Sequence, residues 1–255
     1  MGTTRTEGSL YTSINNKIAT IEFGHPASNS FTAELLQRLT KTLKELSSNN
    51  TVSVIVLKSE GERAFCAGAS FNELTAVSDL SEGKVFFSGF ANVINAMRSC
   101  SKVIIGRIQG KAVGGGVGIA AACDYVFASE GASIKLSELS IGIAPLVIAP
   151  AVAHRIGKAA LGELSLAPTE WKTAYWAQQK GLFAKVFRDI NEMDKELDFY
   201  TNQLAQYNTE ALEAWKKVLW EGTDHWDTLL LDRAAITGQL VLSDATKQTL
   251  RKFKK

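Results

Sequence analysis

The sequence predicts an α/β protein whose last third is helical throughout. In the first half of the 255 residues, short apolar runs alternate with segments of helical periodicity. This order is typical of right-handed β-α-β units. From about Val147 the helical periodicity continues almost to the end, with no repeat or low-complexity linker in between. We therefore expect one α/β core over residues 1–195 that carries a helical region over residues 196–255.

The first predicted elements are a hairpin and an amphipathic helix. Leu10–Ile14 and Ile18–Phe23 alternate apolar and polar residues on either side of Asn15–Asn16, which is a hairpin signal. A helix is predicted after Thr32, a good N-cap residue, because leucines then recur at helical spacing. The apolar stripe of this helix consists of Leu35, Leu36, Leu39, Leu43 and Leu46.

The remaining elements follow from the same two kinds of pattern. Continuous apolar runs predict buried strands, and apolar residues three and four apart predict helices. The predicted strands are Val52–Leu57, Val103–Ile108, Tyr125–Ala128 and Ser133–Leu136. The predicted helices are Gly83–Arg98, Ile119–Cys123 (opened by a glycine run), Val147–Ile156, Trp171–Lys180, Ile190–Tyr207, Thr209–Trp220 and two more near the C-terminus.

The overall charge gives no reason to expect nucleic acid or a membrane surface as a partner. The 28 Lys and Arg residues nearly balance the 26 Asp and Glu residues, which leaves a net charge of +2. No window approaches the roughly 18 uninterrupted apolar residues that a membrane span needs. The segment Met1–Glu7 lacks the apolar stretch of a signal peptide, so we expect a cytoplasmic protein.

Neither the cysteines nor the histidines are spaced for a disulfide framework or a metal site. The three cysteines are odd in number and form no C-x-x-C pair, which fits a reducing compartment. The three histidines lack ligand spacing, so no metal is expected. These residues are Cys66, Cys100, Cys123, His25, His154 and His225.

Gly114–Gly118 is a glycine-rich run at the predicted start of a helix. Backbone N–H groups exposed at such a point, together with the helix dipole, can hold negative charge. The run lacks the lysine of a phosphate-binding loop and does not match the G-x-G-x-x-G dinucleotide fingerprint. Taken alone, it is equally consistent with close backbone packing that leaves no room for side chains.

Six segments of the chain form a larger set. They are His25–Phe31, Ala64–Ser70, Gly110–Gly116, Ala122–Tyr125, Ser137–Gly142 and Ala174–Leu182. In order and spacing this set resembles the enoyl-CoA hydratase/isomerase (crotonase) family, from about Ser9 to the C-terminal helices. The resemblance implies a crotonase-like (ClpP/crotonase) fold, a spiral of ββα units with a C-terminal helical trimerisation region. It also implies an acyl-CoA substrate, no cofactor beyond its coenzyme A, and a homotrimer or a hexamer built as a dimer of trimers.

The same resemblance assigns catalytic backbone groups and a CoA groove. The N–H groups of Ala69 and Gly115 would form an oxyanion hole for the thioester oxygen. Cys66 is then a packing residue rather than a nucleophile, since no histidine is linked to it by the motif. The residues implied to bind CoA or substrate are Ala27, Ser28, Ser30, Cys66, Ala67, Gly68, Phe71, Gly114 and Gly118.

Hydratases of this family usually carry two glutamates, and the sequence keeps one of them. Glu138 aligns with the second, whereas Gly118 stands where the first would be. A single carboxylate beside an oxyanion hole suffices to move a proton in a double-bond isomerase. It could also add water by exchanging roles with the water molecule. The alternative is that Glu138 is simply a surface strand residue.

The segment after Glu138 favours a hydratase of branched substrates. Ala144–Pro150 departs from the common hydratase pattern, in which proline is followed by glycines. Together with Gly118 and Ser137, it resembles bacterial methylglutaconyl-CoA and carboxygeranoyl-CoA hydratases. The predicted reaction is hydration of a 2-enoyl-CoA of the 3-methylglutaconyl type, with Glu138 as acid and base. Alternatives within the family are a Δ3-Δ2-enoyl-CoA isomerase and a polyketide β-branching decarboxylase or dehydratase.

Several other side chains could extend the site or the assembly. A second carboxylate on the substrate could meet Lys135, His154 or Arg155, although each also has a simpler structural or solvated interpretation. The five tryptophans, all in the helical part, predict helix packing and subunit contacts.

The basic tail Arg251–Lys255 is predicted to be solvated, or else to approach the CoA phosphates of a neighbouring subunit.

A non-catalytic RNA- or acyl-CoA-binding protein is the alternative from another class. The small net charge, with no basic stripe among the aromatic residues, argues against RNA.

Overall fold

The computed structural model describes residues 8–252. The start of the chain, on which the prediction of no signal peptide rests, and residues 253–255 of the basic tail lie outside this range. None of the helices within it is both long enough and apolar enough to cross a membrane.

The strands form two sheets that the chain visits in turn. The larger sheet has the order β1-β2-β3-β5-β7-β10, with β1 antiparallel to β2 and the other neighbours parallel. The smaller sheet has the order β4-β6-β8-β9, with only β9 antiparallel to its neighbour. The strands are β1 Ser9–Asn15, β2 Ile18–Gly24, β3 Val54–Ser59, β4 Ala64–Cys66, β5 Val103–Ile108, β6 Lys111–Val113, β7 Tyr125–Ser129, β8 Ser133–Lys135, β9 Lys172–Thr173 and β10 Lys185–Phe187.

Each pass of the chain places one strand in the larger sheet, the next in the smaller sheet, and then a helical segment. The pairs β3–β4, β5–β6 and β7–β8 follow this rule, which confirms the predicted spiral of ββα units. The helices are α1 Ala33–Ser47, α2 Phe71–Ala76, α3 Leu80–Ser99, α4 Gly115–Ala122, α5 Ala149–Ser165, α6 Ala174–Gln179, α7 Ile190–Leu204, α8 Thr209–Leu219, α9 Trp226–Val241 and α10 Asp244–Lys252. A 3₁₀ turn, Glu138–Ile141, follows β8.

The predicted hairpin is confirmed, but its turn lies one residue later than expected. Asn15 still pairs with Ile18 in the ladder, so the two turn residues are Asn16 and Lys17. Both have positive φ, 48° and 65°. Two-residue turns of this kind match the right-handed twist of the flanking strands, which explains the shift.

Four predicted helix boundaries differ from the structure by three residues or more. Helix α7 ends at Leu204 rather than at Tyr207. The helix predicted from Trp171 begins only at Ala174, because Lys172 and Thr173 first pair with β8 as an edge strand. Helix α5 begins at Ala149 and runs on to Ser165, past a break at Gly157 where φ is 74°. Helix α3 begins at Leu80, three residues early, because the Asp79 carboxylate caps it. Periodicity missed β4, β6, β10 and α2, since elements of three to six residues are too short to show it.

The C-terminal helices pack on the α/β core of the same chain. Helix α9 lies against α3, and a β-carbon added at Gly83 would come within 2.9 Å of the Gly238 backbone. Trp220 and Trp226 belong to the same hydrophobic cluster as the sheets, which agrees with the helix packing predicted for the tryptophans. Trp171 and Trp215 are exposed. The predicted boundary between residues 195 and 196 falls inside α7.

A buried ion pair joins α8 to the start of β7. The Asp124 carboxylate accepts hydrogen bonds from Lys216 Nζ at 2.8 Å and from Trp220 Nε1 at 2.7 Å. It also accepts from the Ile104 N–H at 2.6 Å. Because Lys216 and Asp124 are both buried, each charge depends on the other, and removal of one partner would strand the other. This Asp124 of the Ala122–Tyr125 motif therefore has a structural role.

Candidate active site

A mostly apolar cavity of about 420 Å³ opens where the strands of the smaller sheet end. The loops after β4, β6 and β8 form one side of it, and residues 143–148 form another. Phe87 and Phe90 of α3 and Thr237 of α9 complete the lining. Of the described residues that line this cavity, Lys135 and Glu138 are the ones with ionisable side chains. An apolar cleft with few polar groups is the usual form of a small-molecule site.

The three consecutive glycines after β6 each meet a different neighbour. A β-carbon at Gly114, where φ is 52°, would lie 2.7 Å from Glu138 Oε1. A β-carbon at Gly115 would lie 2.2 Å from the Phe90 ring, and one at Gly116 would lie 2.7 Å from Cys66 Cβ. The glycines therefore let the start of α4 sit against the carboxylate, the aromatic ring and the β4 strand at once.

Two backbone N–H groups, those of Ala69 and Gly115, have no hydrogen-bond acceptor within residues 8–252. Gly115 is the first residue of α4, so its N–H lies at the positive end of that helix. Ala69 follows Gly68, whose φ of 94° turns the chain after β4. A β-carbon at Gly68 would lie 3.7 Å from the Gly115 nitrogen, which brings the two loops together at the cavity. Both amides therefore belong to residues that line the cavity.

Glu138 contributes a carboxyl group to the cavity from the 3₁₀ turn after β8. Its Oε2 is buried and has no hydrogen-bond partner in the described part of the chain. Burial raises the pKa of this carboxyl from 4.5 to about 7, because desolvation disfavours the charged form. A carboxyl with a pKa near neutrality can both take up and release a proton at physiological pH.

The turn that carries Glu138 is held by the C-terminal helices. The Ile143 N–H donates to the Glu138 carbonyl at 3.1 Å, which closes the turn. The fully buried Thr246 of α10 then donates its hydroxyl to the Gly142 carbonyl at 2.7 Å. From α9, Arg233 Nη1 donates to the Leu146 carbonyl at 3.3 Å. Two helices distant in sequence therefore position the segment that carries the carboxylate.

Most residues that the sequence assigned to a CoA or substrate site do line the cavity, and three do not. The lining includes Ala27, Ser30, Ala67, Gly68, Ala69, Phe71, Gly114, Gly115 and Glu138. Ser28 is exposed outside it, and its carbonyl accepts from the Ala67 N–H at 3.0 Å. Cys66 is fully buried behind Gly116, and this burial raises the pKa of its thiol to about 12. Such a thiol is not poised as a nucleophile.

Gly118 also lies outside the lining and faces α5 instead. A β-carbon at this position would come within 2.4 Å of Ile148 Cγ2. Ile148 is buried and itself lines the cavity. An apolar side chain from the next segment therefore occupies the space that a glutamate at position 118 would require.

The three side chains considered as partners for a second substrate carboxylate lie in different environments. Arg155 donates to the backbone carbonyls of Ala121 and Cys123, so it ties α5 to α4. His154 stacks on Trp220 at 4.9 Å between ring centroids and contacts the Leu219 carbonyl. Only Lys135 of the three lines the cavity.

Sequence reasoning did not assign Phe87, Phe90 and Thr237 to the site. The two phenylalanines read as part of the ordinary apolar face of α3, and nothing in the sequence links Thr237 to residues a hundred positions earlier. The segment Ala144–Pro150 was singled out because it departs from the common hydratase pattern, and its residues up to Ile148 do line the cavity. Within the described range, no group of three or more His, Cys, Asp and Glu side chains is placed to hold a metal ion.

The fold and the cavity define a crotonase-type α/β protein. The chain belongs to the enoyl-CoA hydratase/isomerase family, whose model matches residues 13–250. The crystal structure of an enoyl-CoA hydratase from Bacillus halodurans superimposes with a TM-score of 0.88 at 22% identity. That superposition covers 95% of this chain and 99% of the other.

Some relatives of this chain are named hydratases and others are named isomerases. The chain is 28% identical over 203 residues to the peroxisomal Δ(3,5)-Δ(2,4)-dienoyl-CoA isomerase of Arabidopsis thaliana, covering 75% of this chain and 72% of the relative. It is 36% identical over 117 residues to the mitochondrial methylglutaconyl-CoA hydratase of Homo sapiens, covering 46% and 34%. For several of the curated relatives, the chain spans about half of their length.

Proposed function

We propose that this protein hydrates a 2-enoyl-CoA thioester with Glu138 as its single acid and base. The observation that carries the proposal is the position of this carboxyl. It is buried, lacks a hydrogen-bond partner within the described range, and has a pKa of about 7 beside two free amides. The site needs no cofactor other than the coenzyme A of its substrate.

In the proposed reaction the thioester oxygen accepts hydrogen bonds from the N–H groups of Ala69 and Gly115. When oxygen attacks C3, the electrons of the C2–C3 double bond move toward the carbonyl and place negative charge on that oxygen. Preorganised amides stabilise this charge, and loss of one such donor typically costs about 3–4 kcal/mol. A helix N-terminus at Gly115 adds a favourable dipole.

Glu138 acts twice in this scheme. Its carboxylate first takes a proton from the water molecule as the water oxygen bonds to C3. The resulting carboxylic acid then delivers that proton to C2, which restores the carboxylate and the thioester carbonyl. One water is added, and no second glutamate is needed at position 118.

The substrate that we propose is a branched one of the 3-methylglutaconyl type. Two features support it: the similarity to the human methylglutaconyl-CoA hydratase, and the apolar wall of residues 143–148 that replaces a second glutamate. An apolar wall suits a methyl branch on C3, whereas a buried carboxylate in that space would have to be desolvated.

A double-bond isomerase is the second candidate, favoured by the same single carboxyl and by the similarity to a dienoyl-CoA isomerase. In that reaction the Glu138 carboxylate takes a proton from C2 of a 3-enoyl thioester and returns it to C4. The amides of Ala69 and Gly115 would hold the intermediate dienolate.

We also propose that the chain assembles as a trimer or a dimer of trimers, and light scattering of the purified protein tests this.

Liquid chromatography coupled to mass spectrometry, which also separates isomers of equal mass, distinguishes the two reactions after incubation of thioesters with the protein. We expect 3-methylglutaconyl-CoA to gain the mass of one water, and crotonyl-CoA to react more slowly. Glu138→Gln should abolish the gain, whereas Glu130→Gln, an exposed glutamate in the turn before β8, should not. A 3-enoyl-CoA that is converted without mass change, with no hydration of either 2-enoyl substrate, would establish the isomerase instead.

A further inference from the structure

Lys135 lies on the cavity wall, three residues before Glu138. It is the last residue of β8, and its carbonyl accepts from the Gly114 N–H at 2.9 Å, so its backbone is fixed beside the glycine run. In the smaller sheet β8 is separated from β4 by β6. Lys135 and the loop after β4 therefore reach the cavity from strands that are not neighbours, with the glycine run after β6 between them.

A tryptophan holds the ammonium group of Lys135. Its Nζ lies 4.5 Å from the centroid of the Trp171 ring, and Lys111 Nζ lies 5.1 Å from the same centroid. Trp171 immediately precedes β9 and is 40% exposed. An aromatic face attracts a cation and restricts its side chain, but it does not neutralise the charge.

Neither of these two lysines pairs with a carboxylate within residues 8–252. Lys172 of β9, the strand next to β8, differs because it has both Glu163 and Glu170 within 4.0 Å. Two ammonium groups on one ring repel each other, and an anion between them would offset that repulsion. The contrast with Lys172 marks Lys111 and Lys135 as a positive pair without a carboxylate partner in the described range, and of the two it is Lys135 that lines the cavity.

We propose that Lys135, supported by Trp171 and Lys111, is the subsite for a carboxylate at the far end of the acyl group. The inference rests on the proposed function and narrows it to thioesters of dicarboxylic acids. Glu138 is otherwise the only ionisable side chain on the cavity lining of the described chain, so Lys135 is the one cation there that can select such a substrate. Lys135 could bind either of two anions, a carboxylate of the acyl group or the phosphates of coenzyme A, and the test must distinguish them.

Calorimetric binding of saturated thioesters tests the subsite without any reaction. Glutaryl-CoA carries a terminal carboxylate, and valeryl-CoA has the same chain length without it. We expect the wild-type protein to bind glutaryl-CoA about tenfold more tightly than valeryl-CoA. Lys135→Met keeps the aliphatic stem and should remove this preference. Lys172→Met, on the neighbouring strand with its charge already paired, is the matched control and should retain it.

Three outcomes would overturn the proposal. Equal binding of the two ligands by the wild-type protein would remove the preference itself. A preference that survives in Lys135→Met would place the carboxylate elsewhere. Equal weakening of both ligands by Lys135→Met would assign the lysine to the CoA phosphates, and valeryl-pantetheine, which lacks them, would then bind wild type and variant alike. If Lys135→Met loses the preference for glutaryl-CoA but the wild-type protein hydrates no enoyl-CoA, the subsite is supported and the proposed reaction is refuted.

Discussion

Two walls of the cavity are built in different ways. The glycine wall, formed by Ala67–Ala69 and Gly114–Gly115, presents backbone N–H groups from two segments that each follow a short strand. The opposite wall, residues 138–148, presents side chains from a segment with little regular structure. Its position depends on Thr246 and Arg233 of the C-terminal helices.

The difference shows where each kind of wall is vulnerable. The glycine wall is held by steric fit, since a β-carbon at Gly115 or Gly116 would collide with Phe90 or Cys66. The opposite wall is held by a few hydrogen bonds to carbonyl groups of an irregular segment. Changes to the first should therefore reduce catalysis sharply, whereas changes to the supports of the second should have graded effects.

The largest effect is expected at the carboxyl group itself. Glu138→Gln preserves size but cannot accept or deliver a proton, so kcat should fall about 100- to 10,000-fold. Steady-state kinetics with the proposed 3-methylglutaconyl-CoA substrate measures this, with thermal unfolding as the check on folding. Activity within a factor of two of wild type would move the proton transfer to another residue and remove the proposed role of the turn.

Gly115→Ala should weaken the glycine wall nearly as much. The new β-carbon lies 2.2 Å from the Phe90 ring, so the start of α4 must shift and its N–H must move away from the oxyanion. We expect kcat to fall about 100- to 1000-fold, as for loss of one oxyanion donor. Adding Phe90→Val should make room and restore part of the rate. If the double variant is no better than the single one, the steric account of this wall is wrong.

The pH dependence of activity separates the two walls, because the opposite wall carries the Glu138 carboxyl with its raised pKa, whereas the backbone N–H groups of the glycine wall do not titrate. The carboxylate form is the reactive one, so kcat/KM should rise about tenfold per pH unit and level off above about pH 7. Residual activity of Glu138→Gln should lack this step. A wild-type kcat/KM that is constant from about pH 5.5 to about pH 8 would contradict the raised pKa of Glu138.

The same shift affects stability in the opposite direction. The folded pKa of about 7 exceeds the unfolded value of 4.5, so the native state holds a proton that the unfolded state releases. The contribution of Glu138 to the free energy of unfolding should therefore fall as pH rises from 4.5 to 7 and stay constant above. The melting temperature of Glu138→Gln relative to wild type should rise over this interval.

A smaller effect is expected outside the lining at Gly118, where α4 packs against Ile148 of the opposite wall. Gly118→Ala places a β-carbon 2.4 Å from Ile148, and overpacking of this kind costs about 1–3 kcal/mol. Chemical denaturation should show the loss. Gly162→Ala is the matched control, since its β-carbon meets nothing within 4 Å in α5, and it should leave stability unchanged or raise it. Equal behaviour of the two variants would mean that α4 and α5 can separate freely.

The smallest effect is expected at the support of the opposite wall. Thr246→Val keeps the volume but leaves the Gly142 carbonyl without its donor, at a cost of about 1–3 kcal/mol. We expect kcat to fall by less than about tenfold, because the turn shifts without losing Glu138. Thr246→Ser retains a hydroxyl and should behave like wild type. Thr249→Val, at a half-buried position of α10 whose hydroxyl donates to the Ala245 carbonyl of the same helix, tests for general damage. A serine variant as impaired as the valine variant would point to packing rather than to the hydrogen bond.

Long elements were predictable because they repeat a pattern. The leucine stripe of α1 and the apolar run of β3 extend over enough residues to show their periods. The strands β4 and β6 have three residues each and show none, although the site is built at their ends. Trp171 was assigned to a helix because pairing of Lys172 with Ile134 cannot be read from local sequence.

By itself, the sequence determined the alternation of strands and helices, the glycine wall and the single carboxylate, because each depends on residue types at close spacing. Only the tertiary structure decided which groups meet. It placed Ile148 in the space beside Gly118, excluded Arg155 from the cavity and brought Thr246 to the turn of Glu138. The physical reason is that burial and steric exclusion act between segments far apart in the chain. The pKa of Glu138 is the clearest case, since it is set by what surrounds the carboxyl and not by its neighbours in sequence.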